Sequence, residues 1–197
     1  MASGSIIFLN GTSSSGKTTI ARALQERLPD PYMHVSVDGF LCLYPERYWN
    51  PTCREDAMVL AGLVPLAVSG FHRAVAALAE AGNRVIVDHV LQEEGWLEEC
   101  VERWAGLDVL FVGVRCPVEV AERREAERGD REVGTARYQH DRVHAHGVYD
   151  VEVDTSVLTV CPLLHRLPVR SRPRAPAGPP RHRPVRTAVP GSRDHRR

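Results

Sequence analysis

The sequence predicts an α/β fold in which a five-stranded parallel sheet carries helices on both faces. Short apolar runs, typical of strands buried on both faces, alternate over the first 156 residues with segments whose apolar residues recur every three or four positions. This alternation is typical of consecutive β-α units. The chain has 197 residues, of which 43% are hydrophobic and 25% are charged, so its length and composition suit one domain with a hydrophobic core.

Ten elements follow from this pattern. The strands are predicted at residues 6–9, 34–37, 84–88, 108–114 and 149–153. The helices are predicted at residues 18–28, 66–81, 93–104, 117–128 and 134–145. Residues 40–65 contain Pro45, Pro51, Gly62 and Pro65, and this density of helix-breaking residues predicts an irregular segment.

The sequence contains no evident targeting or membrane segment. We find no uninterrupted apolar run of about eighteen residues, the length that a membrane helix needs. The apolar run at residues 6–9 is too short for a signal peptide. The odd number of cysteines and the absence of a CxxC pair do not suit a disulfide framework, so we expect reduced, buried thiols. The cysteines are Cys42, Cys53, Cys100, Cys116 and Cys161. These features predict a cytoplasmic protein.

The C-terminal part differs in composition from the rest. Residues 165–197 contain ten arginines, seven of the 14 prolines and one acidic residue, Asp194. Such a segment has too little apolar area to offset the entropy lost on ordering. We therefore expect a domain at residues 1–156 and a disordered Arg/Pro-rich tail at residues 157–197. The tail is either a solvated segment without a specific role or a basic arm for nucleic acid; we favour the first and do not expect nucleic acid binding.

A complete phosphate-binding motif lies between the first strand and the first helix. Residues 11–18 match G-x-x-x-x-G-K-[ST] at every position, and strand-loop-helix placement is the context that this motif requires. Backbone N–H groups and the helix N-terminus face the phosphates, and the lysine contacts the β- and γ-phosphates. The Thr18 hydroxyl is a hard oxygen ligand for Mg²⁺. We predict that ATP binds to Gly11, Thr12, Ser13, Ser14, Ser15, Gly16, Lys17, Thr18 and Thr19.

Two aspartates lie at the ends of predicted strands. Asp38 follows the second strand and Asp88 ends the third, so both face the crevice at the carboxyl edge of the sheet. One carboxylate would hold Mg²⁺ through water, for which we choose Asp88. The other would accept the proton of an attacking hydroxyl, for which we choose Asp38. An aspartate after a strand is otherwise a turn or capping residue.

Three arginines recur at helical spacing near residue 128. Arg124, Arg128 and Arg131 would share one face if the helix continues, and guanidinium groups neutralise the charge of a transferring phosphoryl group. The step from Gly129 to Asp130 could act as the hinge of a lid. The alternative is a solvated helix with internal Glu–Arg pairs.

Several other residues have two interpretations. The pair His144 and His146 lacks a third ligand, so we do not expect a metal site there. Helical spacing places the tryptophans at 96 and 104 in the core. The aromatic residues at 44, 48 and 49 either line an acceptor pocket after Asp38 or simply pack.

These motifs together resemble the chloramphenicol phosphotransferase family. The resemblance spans residues 5–156 and is carried by residues 7–18, 34–38, 84–88, 112–116, 128–131 and 144–155. It implies a P-loop kinase fold with ATP and Mg²⁺, and phosphorylation of a primary hydroxyl of chloramphenicol as protection against that antibiotic. The family's proposed base matches Asp38, and its lid arginines match Arg124, Arg128 and Arg131.

The chain departs from the family pattern at three places. The family usually has two acidic residues after the third strand, whereas Asp88 is followed by His89 here. Residues 41–63, which are expected on the acceptor side of the site, match the family least well, so the resemblance specifies the acceptor less closely than the fold. The family continues into a final helix, whereas from Val157 this chain becomes rich in arginine and proline.

The sequence therefore predicts an ATP-dependent phosphotransferase that acts on a hydroxyl of a small molecule, chloramphenicol or a related antibiotic. The alternatives are a kinase for another small metabolite and a P-loop ATPase or switch without an acceptor. The sequence does not indicate an oligomeric state.

Overall fold

The sheet has five parallel strands, as predicted. The computed structural model describes residues 4–129 and 134–157. The strands are β1 (Ser5–Asn10), β2 (Met33–Ser36), β3 (Val85–His89), β4 (Asp108–Arg115) and β5 (Val151–Asp154). Their order is β2-β3-β1-β4-β5, and every neighbouring pair is parallel. The carboxyl ends of all five strands therefore lie at one edge, which also holds the phosphate-binding motif.

Seven helices connect the strands in the described residues. They are α1 (Lys17–Arg27), α2 (Val37–Leu41), α3 (Glu46–Trp49), α4 (Arg54–Glu80), α5 (Trp96–Arg103), α6 (Val118–Arg128) and α7 (Thr135–Val143). Most predicted boundaries lie within three residues of these, and the two predicted tryptophans pack in or against the core.

Two apolar clusters cover the two faces of the sheet. Alternate residues of β1 point to opposite sides, so Ile6 and Phe8 join one cluster while Ile7 and Leu9 join the other. The first cluster packs α4 and α5 on the sheet, and the second packs α1. Because β1 is buried from both sides, the chain leaving it at Asn10 starts from a fixed position.

The largest error of the sequence analysis concerns residues 40–65. We expected an irregular segment, but it contains α3 and the first half of α4, which begins at Arg54 rather than at residue 66. Pro65 lies inside α4, where it removes one N–H donor without ending the helix. The Cys53 thiol accepts a hydrogen bond from the backbone N–H of Asp56 and caps the new start.

The expectation that no segment is long and apolar enough to cross a membrane is wrong for helix α4. Among the described residues it is the one helix that meets both criteria. Core helices meet the same criteria, and the C-terminal half of α4 is such a helix, because Val68, Phe71 and Val75 are buried against the sheet. A cytoplasmic location remains a prediction.

Some predictions fall partly or wholly outside the described residues. Arg131, Cys161 and the tail beyond Val157 lie outside them, so the domain boundary and the disorder of the tail remain predictions. Of the four described cysteines, all are free thiols; Cys100 and Cys116 are buried, as expected, whereas Cys42 and Cys53 are exposed. The expectation that the thiols are buried is therefore wrong for two of them.

Replacing Phe71 with alanine should lower the free energy of unfolding by about 3–5 kcal/mol, because the ring is fully buried between α4 and the sheet. Met58 lies on the same helix with 68% of its surface exposed, so Met58→Ala should change stability by less than about 0.5 kcal/mol. Urea unfolding followed by circular dichroism checks both. Equal effects of the two substitutions would contradict the packing described for α4.

Candidate active site

The loop between β1 and α1 has the backbone shape of a phosphate cradle. Ser14 and Gly16 both adopt positive φ angles, 57° and 94°, and Gly16 is the N-cap of α1. No side chain caps this helix N-terminus, so its N–H groups point into the loop rather than to a capping oxygen. The loop therefore joins backbone donors with the positive end of the helix dipole.

The cradle has no room for a side chain at Gly11. A Cβ atom there would lie 2.5 Å from the carbonyl oxygen of Val114 and 2.8 Å from the Ser15 hydroxyl oxygen. The hydroxyls of Ser14 and Ser15 are buried and have no hydrogen-bond partner among the described residues. Polar groups in this condition are costly unless a ligand satisfies them, so the loop suits an oxygen-rich anion.

Three predicted residues meet at the start of α1. The Thr18 hydroxyl donates a hydrogen bond of 2.7 Å to Oδ2 of Asp88, and the Lys17 ammonium lies 3.7 Å from Oδ1 of the same carboxylate. Lys17 also donates to the carbonyl oxygen of Thr12 at 2.7 Å. Lys17 and Asp88 are both 7% exposed, so their charges interact with little screening by water.

Asp38 lies at the same edge but in a different element. It follows β2, as predicted, and belongs to the first turn of α2, where it is exposed. Ser36 pairs with Asp88 across β2 and β3, so Asp38 lies two residues beyond the residue that pairs with Asp88. The fold thus brings the two aspartates to the ends of adjacent strands, with Asp38 exposed and Asp88 buried.

A histidine that the sequence analysis missed lies beside this cluster. The His34 Nε2 atom is buried, has no hydrogen-bond partner among the described residues and lies 3.9 Å from Oδ2 of Asp88. Burial lowers the pKa of His34, and the nearby Asp88 carboxylate opposes that effect in part. No spacing in the sequence indicates this neighbour, because it depends on the pairing of β2 with β3.

The predicted arginines lie in three different situations. Arg124 donates from its guanidinium group to the Thr155 hydroxyl at 3.1 Å and to the Thr155 carbonyl at 3.0 Å, and the Thr155 hydroxyl donates to the carbonyl of Ser15 at 2.7 Å. Arg124 therefore braces the phosphate loop through Thr155. Arg128 is exposed on α6, and Arg131 lies outside the described residues. Their contact with a transferring group remains a prediction.

Polar side chains behind the loop connect it to the rest of the fold. The Ser13 N–H donates to Gln139 of α7 at 2.7 Å, and Gln139 donates to Gln92 at 2.8 Å. Asn10, the last residue of β1, accepts from the Leu91 N–H at 2.9 Å and donates to the Tyr149 hydroxyl at 2.8 Å. These buried links were not predicted, because they join elements distant in sequence.

The other candidate residues have structural roles in the described part of the chain. The His144 Nδ1 atom lies 2.6 Å from the Tyr149 hydroxyl, and the His146 ring stacks on Phe111. No group of three or more metal-ligating side chains occurs in the described residues. Trp49 is 39% exposed after Asp38, so it is available either to an acceptor or to solvent.

Comparisons with known proteins identify the family of this chain. The family model described as chloramphenicol phosphotransferase-like protein matches residues 4–167. The Mycobacterium tuberculosis protein Rv2636 is 34% identical over 184 residues, which cover 85% of this chain and 82% of that protein. It carries an O-phosphotransferase name that is itself provisional.

Two solved kinases have the same fold at low identity. The Mycobacterium tuberculosis APS kinase CysC, solved with AMPPNP and APS, has a TM-score of 0.59 and 16% identity, and the alignment covers 84% of this chain and 95% of that one. A gluconokinase from Sinorhizobium meliloti has a TM-score of 0.56 and 18% identity, with 82% and 87% covered. These matches confirm the predicted fold class.

Replacing Lys17 with alanine should weaken the binding of ATP roughly ten- to a hundredfold, because a charged hydrogen-bond donor to the phosphates is lost. Arg22→Ala is the matched control, since Arg22 is an exposed cation one turn further along α1. Isothermal titration with a non-hydrolysable ATP analogue measures both affinities. Equal affinities for the two variants would contradict the assignment of this loop.

Proposed function

The chain belongs to the chloramphenicol phosphotransferase-like family, and we propose that it transfers the γ-phosphoryl group of ATP to a hydroxyl of a small molecule, chloramphenicol or a related antibiotic. One observation carries the proposal: the phosphate loop, its lysine and the Thr18–Asp88 pair converge in one corner at the carboxyl edge of the sheet, where Lys17 and Asp88 are buried. The family and the fold identify a P-loop kinase-like phosphotransferase.

The donor half of the site would hold the triphosphate. The loop N–H groups and the N-terminus of α1 would bind the phosphate oxygens, with the unpartnered hydroxyls of Ser14 and Ser15 as further donors. Lys17 would exchange its contacts with Thr12 and Asp88 for the β- and γ-phosphates. These groups fix the phosphates before reaction, which is the main contribution of the protein in phosphoryl transfer.

The Thr18–Asp88 pair has the chemistry of a magnesium site. A hydroxyl and a carboxylate 2.7 Å apart are hard oxygen donors of the type that Mg²⁺ prefers. We assign Thr18 as a direct ligand and Asp88 as a ligand through water. When bound, Mg²⁺ would neutralise charge on the phosphates.

Asp38 is our candidate for the general base. The acceptor oxygen forms a bond to the γ-phosphorus while the bond from phosphorus to the leaving oxygen of ADP breaks, and the hydroxyl proton passes to the Asp38 carboxylate. Its exposed position two residues beyond Ser36, which pairs with Asp88 across β2 and β3, supports this role. Arg124 and Arg128 would stabilise the charge on the transferring group.

The segment after Asp38 supports an acceptor with an apolar part. Five exposed large apolar side chains lie in the turn between α2 and α3, in α3 and in the first half of α4; they are Leu43, Trp49, Met58, Val59 and Leu66. Isolated apolar residues on a surface are ordinary, but this many in one short segment after Asp38 favours a binding region there. An aromatic antibiotic with a free hydroxyl suits such a surface better than a sugar acid.

The direct test is mass spectrometry of chloramphenicol incubated with the full chain, ATP and Mg²⁺. A product heavier by one phosphoryl group supports the proposal. Phosphorylation of another compound in a panel of hydroxylated antibiotics and metabolites would retain the kinase and replace the acceptor. Release of phosphate from ATP without any phosphorylated acceptor would favour the alternative, an ATPase or switch.

Asp38→Asn should reduce the transfer rate by at least about a hundredfold, because the amide cannot accept the hydroxyl proton. Its affinity for ATP should stay within twofold of the original. Asp108→Asn is the control, since Asp108 is an exposed aspartate at the start of β4, on the opposite edge of the sheet. An Asp38→Asn variant that retains most of its rate would show that Asp38 is not the base.

A further inference from the structure

A chain of buried polar side chains lies directly behind Asp88. His89, the last residue of β3, and His72 of α4 are both 0% exposed, and their Nε2 atoms lie 2.8 Å apart. The Nδ1 atom of His72 lies 2.9 Å from Oε2 of Glu99 on α5. The chain therefore connects the end of a central strand to two helices through the apolar core, where polar groups are costly unless all are satisfied.

The backbone fixes the order of the protons along this chain. The Nδ1 atom of His89 accepts the N–H of Val90 at 2.7 Å, so a neutral His89 carries its proton on Nε2. That proton is donated to Nε2 of His72, whose own proton then lies on Nδ1 and is donated to Glu99. This one arrangement satisfies every polar atom of both imidazoles.

The surroundings favour the same charge states. Burial is the main cause that lowers the pKa of His72, so this ring is neutral near pH 7. For Glu99, burial would raise the pKa, but hydrogen bonds from Ser69, Arg103 and His72 lower it to about 2. Glu99 is therefore a carboxylate that accepts from three donors at 2.7–2.9 Å.

The row of hydrogen bonds ends at the backbone N–H of Val90 and does not reach the reacting groups. The Asp88 carboxylate points to Lys17 and Thr18 on the α1 side of the sheet, whereas the His89 ring points to the α4 side. Protons consequently have no path along this chain to Asp88. These hydrogen bonds instead fix the His89 ring and, through the Val90 N–H, the turn that follows β3.

We propose that His72 is a positioning residue of this site: by binding both His89 and Glu99 it holds the end of β3, and so keeps Asp88 against Thr18 and Lys17. No sequence motif contains His72, and its role depends on the packing of α4 on β3. Its effect on catalysis rests on the proposed function, whereas its effect on the Lys17–Asp88 contact does not.

Three variants separate positioning from simple core stability. His72→Leu retains the volume but leaves the His89 N–H and the Glu99 carboxylate without this partner. His72→Gln offers one acceptor and one donor and should restore these hydrogen bonds in part. Val75 lies one turn along the same helix and is fully buried, but it takes no part in these hydrogen bonds. Val75→Ala therefore controls for lost stability.

The sequence supplies a spectroscopic reporter of the Asp88 position. Lys17 is the single lysine of the 197-residue chain, so protein labelled with ¹³C at the lysine ε-carbon gives one lysine side-chain signal, which arises beside Asp88. We expect His72→Leu to shift this signal in the same direction as Asp88→Asn. Val75→Ala should leave it unchanged, and His72→Gln should give an intermediate position.

Kinetics on the full chain provide the second measurement. Below the unfolding temperature of every variant, His72→Leu should lower kcat about ten- to a hundredfold with little change in the KM of the acceptor, as for residues that orient a ligand indirectly. An unshifted lysine signal in His72→Leu, or equal losses in His72→Leu and Val75→Ala, would overturn the proposal. If the signal shifts but no acceptor is phosphorylated by the original protein, the positioning role stands and the proposed function fails.

Discussion

The parallel pairing of β1 with β3 is the constraint on which the site depends. Leu9 pairs with Asp88 and Asn10 pairs with His89, so the loop that begins at Gly11 starts level with the acidic end of β3. This register places the first residues of α1 within hydrogen-bond distance of Asp88. A slip of one residue would turn Asp88 to the other face of the sheet, because side chains alternate along a strand.

The donor side of the site could be predicted from the sequence because its signals are local. The loop motif, the apolar run before it and the helix after it lie within 23 consecutive residues, Ser5 to Arg27. The first half of α4 could not be predicted, since Pro65 and Gly62 are helix breakers by propensity, and nothing in the sequence shows that they are tolerated there. His34, His72 and Glu99 were missed because their partners are set by packing.

The two sides of the crevice differ in the way they are held. Lys17 and Asp88 are buried, and Lys17 is held by the Thr12 carbonyl and the Asp88 carboxylate. Asp38 is exposed, and the residues after it lie on short helices. A buried half that binds a common nucleotide and an exposed half that meets the acceptor would explain why the sequence indicates the donor more sharply than the acceptor.

We have proposed that the Lys17–Thr18–Asp88 corner binds the phosphates of ATP with Mg²⁺. A crystal structure of the full chain with a non-hydrolysable ATP analogue and Mg²⁺ would test this proposal. We expect phosphate density inside the loop of residues 11–18, contact between Lys17 and the terminal phosphates, and a metal ion beside Thr18 on the Asp88 side. A nucleotide bound elsewhere, or a metal ion distant from both residues, would contradict it.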